Sequence, residues 1–348
     1  MQIFILVFSS IFIIATILPL IRTGTWWIRI FDYPRIQIAF FLSVSIVLIL
    51  IQFGWDNYMG LLLLTGLLIS LIYQLGLIFK YTPVHPVQAK KVKKIDPKNT
   101  IRILESNIRM ENREAEKLID LVKSSSPDVL VVNEANQWWA EQLTELDSLY
   151  PYTLKQPLEN TYGMLLFSKF SLKNTEVNYL VDDDIPSFFT SVVLPSSTEI
   201  DLHCLHPKPP MPGTPTYERD TEILIVGKRA KKSKRPTIVV GDLNDVAWSY
   251  TSALFQRYSG LLDPRQGRGL FNTYNVNAPL LRYPLDHFFY SAHFGLVKLE
   301  RMPGVGSDHF PILLEVCYED GENHVQNKSN PDQEDKEEVE VKISEGMK

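Results

Sequence analysis

The chain has 348 residues, more than one domain usually holds, so its length predicts at least two structural units. Its 35 basic and 40 acidic residues give a net charge of −5, much of it from an acidic run near the C-terminus. The overall charge therefore does not exclude a polyanionic substrate. The two cysteines, Cys204 and Cys317, lie in strand-like surroundings without metal-site spacing, which excludes a thiolate metal centre.

The N-terminal region contains three uncharged apolar runs, at 3–21, 36–52 and 59–79. At about 1.5 Å per residue each run approaches the roughly 30 Å hydrocarbon core of a bilayer, so residues 1–81 are predicted to form a transmembrane region of three helices. The run 36–52 is the shortest, which leaves two spans as an alternative. A cleaved signal peptide is an alternative for the first run, but no basic residue precedes it and no small-residue cleavage site closes it.

Basic residues beside the spans predict the orientation of this region, because they favour the cytoplasmic side. They are Arg22, Arg29 and Arg35 between the first two spans, and Lys80 with the cluster Lys90–Lys94 after the third. Asp56 and no basic residue lie between the second and third spans. Three spans put both basic segments on one side. We therefore expect a multi-pass cell-membrane protein whose N-terminus is outside and whose following domain is cytoplasmic.

Two further segments flank that domain. Residues 82–99 form a linker rich in Pro, Lys and polar side chains, predicted to be a solvated tether. Its cluster Lys90–Lys94 is expected to contact anionic lipid as well, at roughly 1 kcal/mol per basic residue. Residues 319–348 are acidic and lack apolar periodicity, so this tail is predicted to be disordered.

Residues 100–318 combine short β-branched runs with a few helical patterns, which predicts an α+β or layered α/β domain. Strands are predicted at 101–104, 129–132, 164–167, 189–194, 200–204, 237–240, 285–290 and 312–316. Helices are predicted over 112–124 and 217–230, and a third opens at Trp138.

Glu134 and Asn107 each close a predicted strand. A carboxylate such as Glu134 is hard to bury there without a partner, and a divalent cation such as Mg²⁺ supplies one. The alternative is an acid favoured by the dipole of the helix that follows. Asn107 offers an amide oxygen, although alone it is more often a turn residue. Together the two residues predict a cradle of oxygen ligands for one metal ion.

The motif Gly241-Asp242-Leu243-Asn244 follows the apolar run 237–240. Strand alternation places Asp242 and Asn244 on the same side, so a carboxylate and an amide point at one spot. The carboxylate can accept a proton from an attacking water, and the amide can donate to a phosphate oxygen. An Asx turn that caps a helix near Ser249 is the alternative interpretation.

Two histidines, His206 and His309, also lie next to predicted strands. His206 ends the run 200–204, whereas His203 within that run is expected to be a packing or surface residue. Ser307-Asp308-His309 ends a loop before an apolar strand, where few structural needs call for such a triplet. Asp286 at the start of a strand can orient His309 and stabilise its charged form. Asp308 is then left to bind metal or to position water.

Taken in order, these motifs resemble those of the endonuclease/exonuclease/phosphatase superfamily, which has the deoxyribonuclease-I-like fold. The resemblance covers about 101–316 and is most specific in Gly-Asp-x-Asn and Ser-Asp-His. Within the superfamily the chain looks like the bacterial membrane-anchored branch. The resemblance implies a four-layer αββα sandwich and hydrolysis of phosphoesters with Mg²⁺ or Mn²⁺ at the strand ends.

The resemblance also implies a role for each motif residue. The implied metal ligands are Asn107, Glu134 and Asp308, and the implied catalytic residues are His206, Asp242, Asn244, Asp286 and His309. Two positions depart from the family's pattern. Its usual Gln before the metal-binding Glu is Asn133 here, and an aromatic residue that is often Trp is Tyr274. The match is therefore weaker for residues that grip the substrate.

Three classes of function fit these features. The first, which we favour, is a metal-dependent phosphodiesterase or nuclease, for which the basic residues within 228–235 could neutralise a phosphate backbone. For that run we favour the alternative interpretation, a solvated helix end. The second class is a hydrolase of phospholipid head groups or small phosphoesters, favoured by the membrane region. The third is a membrane-tethered binding module without catalysis, which the complete set of polar residues argues against.

Overall fold

The computed structural model describes residues 1–53, 57–319 and 329–348. Asp56 and residues 320–328 of the predicted tail lie outside these ranges. The helices are α1 (Gln2–Ile17), α2 (Trp26–Arg29), α3 (Arg35–Gln52), α4 (Tyr58–Phe79), α5 (Ala115–Ser125), α6 (Gln137–Gln142), α7 (Tyr217–Lys232), α8 (Tyr250–Ser259) and α9 (Gln333–Gly346). The strands are β1 (Thr100–Asn107), β2 (Val129–Asn133), β3 (Tyr152–Gln156), β4 (Met164–Ser168), β5 (Leu172–Asn178), β6 (Ser187–Val193), β7 (Glu199–Cys204), β8 (Thr237–Asp242), β9 (Asp286–Tyr290), β10 (Phe294–Arg301) and β11 (Ile312–Tyr318).

The predicted apolar runs form three long helices, which pack together with Leu42 and Leu67 buried among them. The stretch Gln2–Leu20 and helices α3 and α4 are each long and apolar enough to cross a membrane. Asn57 caps α4, because its side chain accepts the backbone N–H of Gly60 at 3.0 Å. We call residues 1–81 the anchor region, and residues 21–34, which connect its first two long helices, the anchor loop.

Two mixed sheets form the centre of the following domain. The first has the strand order β10-β11-β1-β2-β4-β3, and the second has the order β5-β6-β7-β8-β9. Each contains one parallel pair, β1 with β2 and β7 with β8. The carboxyl ends of a parallel pair lie at the same edge of a sheet, so Asn107 aligns with Asn133 at the end of the first pair.

Three apolar layers hold this domain together. Val131 and Val240 belong to the layer between the two sheets. Leu118 of α5 packs on Leu130 at the outer face of the first sheet. Phe255 of α8 belongs to the layer that joins α7 and α8 to the outer face of the second sheet. The order helix, sheet, sheet, helix confirms the predicted αββα sandwich.

The two-residue period of the strands explains where the polar side chains point. In β8, Ile238 and Val240 face the layer between the sheets, and Asp242 has the same phase. In β9, Phe288 and Tyr290 face that layer, and Asp286 has their phase. The inner core therefore ends in buried polar side chains at one end of the sandwich.

The linker differs from the predicted solvated tether where it meets the sandwich. The carbonyl of Lys90 accepts the N–H of Leu296 at 2.9 Å, and the N–H of Val92 donates to the carbonyl of Leu296 at 3.0 Å. Ala89 is fully buried, and the side chain of Gln88 accepts the N–H of Asp263 at 2.9 Å. The unpaired edge of β10 supplies backbone hydrogen-bond partners to the linker. The lysine-rich composition of the linker does not indicate this pairing.

The tail also differs from its predicted disorder. Helix α9 packs against α7 and α8, with Val339 fully buried among them. Arg257 donates to Asp335 at 2.8 Å, and Lys228 donates to Glu340 at 2.5 Å. The prediction of disorder was therefore wrong for Gln333–Gly346, because the cations that balance its acidic residues lie on other helices.

Candidate active site

The carboxylates of Glu134 and Asp242 converge where Asn107 bridges them. The Nδ2 of Asn107 donates to Glu134 Oε1 at 2.8 Å and to Asp242 Oδ2 at 3.0 Å. The Oδ1 of Asn107 accepts the backbone N–H of Arg109 at 3.0 Å. Because Asn107 ends β1 and Asp242 ends β8, one amide connects the two sheets at this end of the sandwich.

His309 lies between two carboxylates. Its Nδ1 is 2.8 Å from Asp286 Oδ2, and its Nε2 is 3.5 Å from Asp242 Oδ2. Burial lowers the pKa of His309, but Asp286 and Asp242 outweigh it and raise that pKa to about 10. Burial likewise raises the pKa of Asp286, yet the charge of His309 holds it below its usual range. The ring is therefore an imidazolium at neutral pH.

A buried carboxyl group that the motifs did not indicate stands behind this pair. Glu105, within β1, is fully buried, and its Oε1 accepts from Asn133 Nδ2 at 2.8 Å. Burial, then the charges of Asp286 and Asp242, raise the pKa of Glu105 well above its usual range. Glu105 Oε2 and Asp286 Oδ1 are both buried without a hydrogen-bond partner among the described residues. An acid inside an apolar strand, in phase with Asn107, is the signal that could have revealed it.

His206 and Asn244 complete the wall beside Asp242. The Nε2 of His206 lies 4.0 Å from Asp242 Oδ2, and its ring centroid is 5.5 Å from that of Tyr162. The backbone N–H of Asn244 donates to Asp242 Oδ1 at 2.9 Å, and its Nδ2 donates to the carbonyl of Pro207 at 2.9 Å. Since an amide nitrogen carries two hydrogens, a second one can serve a substrate oxygen.

The backbone is strained at two residues of this wall. Glu134 has a φ of 64° and Asn244 a φ of 50°, both in the left-handed region that side chains disfavour. Such conformations cost on the order of 1 kcal/mol and persist where the surrounding structure enforces them, often at functional sites. Gly241 has a φ of 142°, and a Cβ there would lie 1.9 Å from the carbonyl oxygen of Leu205. Only glycine fits that position.

The structure brings all the sequence-predicted site residues together around an open cavity of about 340 Å³. Six of them line it directly: Glu134, His206, Asp242, Asn244, Asp308 and His309. Asn107 joins through its hydrogen bonds, and Asp286 is fully buried behind His309. His203 lies elsewhere, with its ring centroid 4.7 Å from that of Phe189.

Tyr33 of the anchor loop also lines the cavity. Its hydroxyl donates to the backbone carbonyl of Asn244 at 2.7 Å. No motif indicated Tyr33, because the polar segment between the first two spans was interpreted only as a marker of membrane orientation. The contact joins residues 211 positions apart, which local patterns do not indicate.

The donor atoms fit a hard divalent cation. Glu134, Asp242 and Asp308 bring three carboxylates to the cavity, and no Lys or Arg is among the described residues that line it. Such an excess of oxygen donors suits Mg²⁺ or Mn²⁺. Ligation by Asn107 requires its amide to turn over, because the nitrogen faces Glu134 here.

A second donor set is Asp242, Asp286 and His309, whose ligand atoms lie within 4.8 Å of one another. His309 can join this set only as a neutral imidazole, because a protonated imidazole has no lone pair for a metal. Asp286 is moreover already hydrogen-bonded to that ring.

The two-sheet sandwich, with carboxylates and histidines gathered at one end, defines a protein of the deoxyribonuclease-I-like class. The sequence model of the endonuclease/exonuclease/phosphatase family matches residues 104–309. That match spans more than half of the chain, and the chain belongs to this family. No curated protein matches the sequence.

Solved structures share the fold. D. rerio TDP2 complexed with a single-strand DNA product has a TM-score of 0.53 at 16% identity, covering 62% of this chain and 98% of that one. The human Nocturnin catalytic domain with bound sulfate has a TM-score of 0.52 at 17% identity, covering 65% and 97%. A functionally unknown conserved protein from Enterococcus faecalis V583 has a TM-score of 0.53 at 14% identity, covering 63% and 100%. At these identities the likeness shows the fold alone.

Proposed function

We propose that this chain is a membrane-anchored phosphoester hydrolase that uses Mg²⁺ or Mn²⁺ and attacks phosphorus with an activated water. One observation carries the proposal: a carboxylate base, an imidazolium and a carboxylate metal cradle surround a single open cavity. Membership of a family of nucleases and phosphatases supports it.

Asp242 is the proposed general base. Burial raises the pKa of Asp242 and the charge of His309 opposes that rise, so its carboxylate is a better base than an exposed one. The water gives its proton to Asp242 as its oxygen forms a bond to phosphorus. On the opposite side the P–O bond to the leaving group breaks, and the leaving oxygen takes up a proton from solvent water.

His309, His206 and Asn244 are proposed to face the phosphoryl oxygens, where negative charge grows during attack. Asp286, which is hydrogen-bonded to Nδ1, keeps His309 oriented. Glu134 and Asp308, with Asn107, would hold the metal ion. When bound, that ion supplies further positive charge to the phosphoryl group.

Nucleic acid is a second candidate substrate, since D. rerio TDP2 was solved with a single-strand DNA product. The basic run 228–235 gives it little support here. Arg229 lies 4.4 Å from the ring centroid of Phe189, and Arg235 pairs with Asp201 at 3.2 Å. The run ends just before β8, whereas Asp242 closes that strand about 16 Å away, at roughly 3.3 Å per residue.

Metal dependence can be tested on the full chain in detergent with bis(p-nitrophenyl) phosphate as the substrate. EDTA should abolish hydrolysis, and Mg²⁺ or Mn²⁺ should restore it. Glu134→Gln should raise the Mg²⁺ concentration for half-maximal rate by at least about tenfold, because a ligand loses its charge. Glu141→Gln, at an exposed site on α6, is the matched control and should leave it unchanged. Full activity in EDTA would contradict metal dependence.

We further propose that the three long apolar helices span a cell membrane with the sandwich on the cytoplasmic side. The basic residues of the anchor loop support this orientation. The cluster Lys90–Lys94, which runs beside β10, is proposed to contact anionic lipid. A fluorescent protein fused after Lys348 should be bright, and alkaline phosphatase at that position should be inactive. The opposite pattern would place the sandwich outside.

A further inference from the structure

The anchor loop forms part of the wall of the active-site cavity. Tyr33 holds the carbonyl of Asn244 and lies edge-on to Tyr283, with ring centroids 5.6 Å apart. Arg219 donates to the same carbonyl at 2.9 Å. The cavity is therefore completed by a residue that stands two positions before the first residue of α3.

The anchor loop is held firmly against the sandwich. Trp248 donates through Nε1 to the carbonyl of Asp32 at 2.8 Å, and the hydroxyl of Tyr81 donates to the carbonyl of Ala247 at 2.6 Å. The carboxylate of Asp32 is buried between Arg29, at 3.2 Å, and Arg35. With contacts before α3 and after α4, the cavity keeps a fixed position relative to the helices.

A loop beside the cavity, which we call the leucine rim, contacts the start of a long apolar helix. Gln37, in the first turn of α3, donates to the carbonyl of Leu280 at 2.5 Å. The side chains of Leu280 and Leu281 are 86% and 51% exposed. They belong to the loop that follows Tyr274, a residue that lines the cavity. Two exposed leucines beside the start of α3 are suited to the interface of a bilayer.

A second segment beside the cavity also approaches the anchor loop. It contains Pro209, Pro210 and Met211, which line the cavity, and Met211 is 55% exposed. The segment ends at Thr216, whose N–H donates to the carbonyl of Gly24 at 2.7 Å. Nearby in the anchor loop, Trp27 is 48% exposed, as tryptophans at membrane interfaces often are.

We propose that the substrate is a membrane lipid whose phosphoester head group enters this cavity from the bilayer surface while its chains stay beside α3. The inference rests on the proposed hydrolase function. A nucleic-acid chain needs a basic track along its backbone, and no Lys or Arg is among the described residues that line the cavity. A lipid head group is small enough to bind within the cavity alone. The exposed leucines of the leucine rim would contact the bilayer beside the cavity.

The test compares substrates on the full chain in mixed detergent micelles with Mg²⁺. The probes are micelles of phosphatidylglycerol, phosphatidylethanolamine and phosphatidate, soluble bis(p-nitrophenyl) phosphate, and a single-stranded DNA oligonucleotide. We expect kcat/KM for the lipid phosphoester to exceed the values for the soluble ester and for DNA by at least about tenfold, since the micelle surface concentrates the lipid at the leucine rim. Preference for DNA, or hydrolysis of the soluble ester without lipid hydrolysis, would overturn the lipid assignment and leave the hydrolase function standing. Hydrolysis of none would overturn the hydrolase function itself.

A rim variant separates membrane access from chemistry. Leu280→Asp with Leu281→Asp should lower the ratio of lipid to soluble-ester kcat/KM by about tenfold, because charge is expelled from the interface. Leu149→Asp changes a leucine that is 47% exposed elsewhere on the sandwich, and should alter that ratio by less than about twofold. Equal losses on both substrates in the rim variant would overturn the proposal.

Discussion

The two ends of the second sheet differ in how their carboxylates are paired. At the cavity end, Asp242 and Asp286 are buried on either side of His309. At the far end, Asp201 accepts from Arg235, Ser191 and Ser233, and Glu199 pairs with Lys173 at 2.7 Å. Asp242 and Asp286 lie on β8 and β9, whereas Glu199 and Asp201 lie on β7 of the same sheet.

This difference supports the proposal that the reaction takes place at the cavity end. At the far end, arginine, lysine and hydroxyl groups neutralise the carboxylates, and the nearby cavity of about 230 Å³ brings together Lys231, Arg235 and no Asp or Glu among its described lining. At the cavity end, excess negative charge and two strained residues are retained. Unneutralised carboxylates around an open cavity destabilise the free protein and favour a bound cation.

The largest effect should come from Asp242→Asn. Removing the proposed base should lower kcat by at least about a hundredfold with the fold intact. Asp201→Asn, the same change on the neighbouring strand at the far end, is the matched control. Its kcat should equal that of the wild type, as measured on the soluble ester with circular dichroism to check folding. Comparable losses in both variants would abolish the distinction between the two ends.

A smaller effect concerns the stability contributed by His203, which faces away from the cavity. Burial, then the charge of Arg229, lower the pKa of His203 to about 4, so the folded state binds fewer protons than the unfolded state below the usual histidine pKa. Stability should therefore fall as the pH drops from about 7 to about 5, with His203 contributing about 2 kcal/mol of the loss.

His203→Phe should remove that contribution. Urea unfolding of the full chain in detergent at both pH values measures it, with the wild type as reference. An identical pH dependence in the variant would show that His203 is not held neutral. His309, which is already charged in the folded state, should not contribute such a loss over this range.

The smallest effect should come from Arg235→Gln at the far end. Its side chain is 45% exposed, so losing its ion pairs should cost less than about 1 kcal/mol of unfolding free energy. Hydrolysis of the soluble ester and of DNA should be unchanged. A tenfold or greater loss on DNA alone, about 1.4 kcal/mol, would show that the basic run binds nucleic acid.

Sequence patterns predicted the parts of this molecule whose causes are local. Apolar runs that end in polar residues located β2 and β8, and with them Glu134 and Asp242. In contrast β5 was missed, because its residues are mostly exposed and polar and carry no apolar signal. Tyr33 and Glu105 were missed for another reason. Their environments are created by residues far along the chain, such as Asn244 and Asp286.

The pairing of residues 90–92 with β10 has a consequence for any shortened form of this protein. A chain that begins at the predicted start of the sandwich would lack residues 90–92, so β10 would lose these hydrogen bonds. The surface against which Ala89 is buried would then be exposed. A bare strand of this kind offers its N–H and C=O groups to other molecules, which promotes aggregation. A fragment that begins before Gln88 should therefore remain monodisperse where one that begins at Thr100 precipitates.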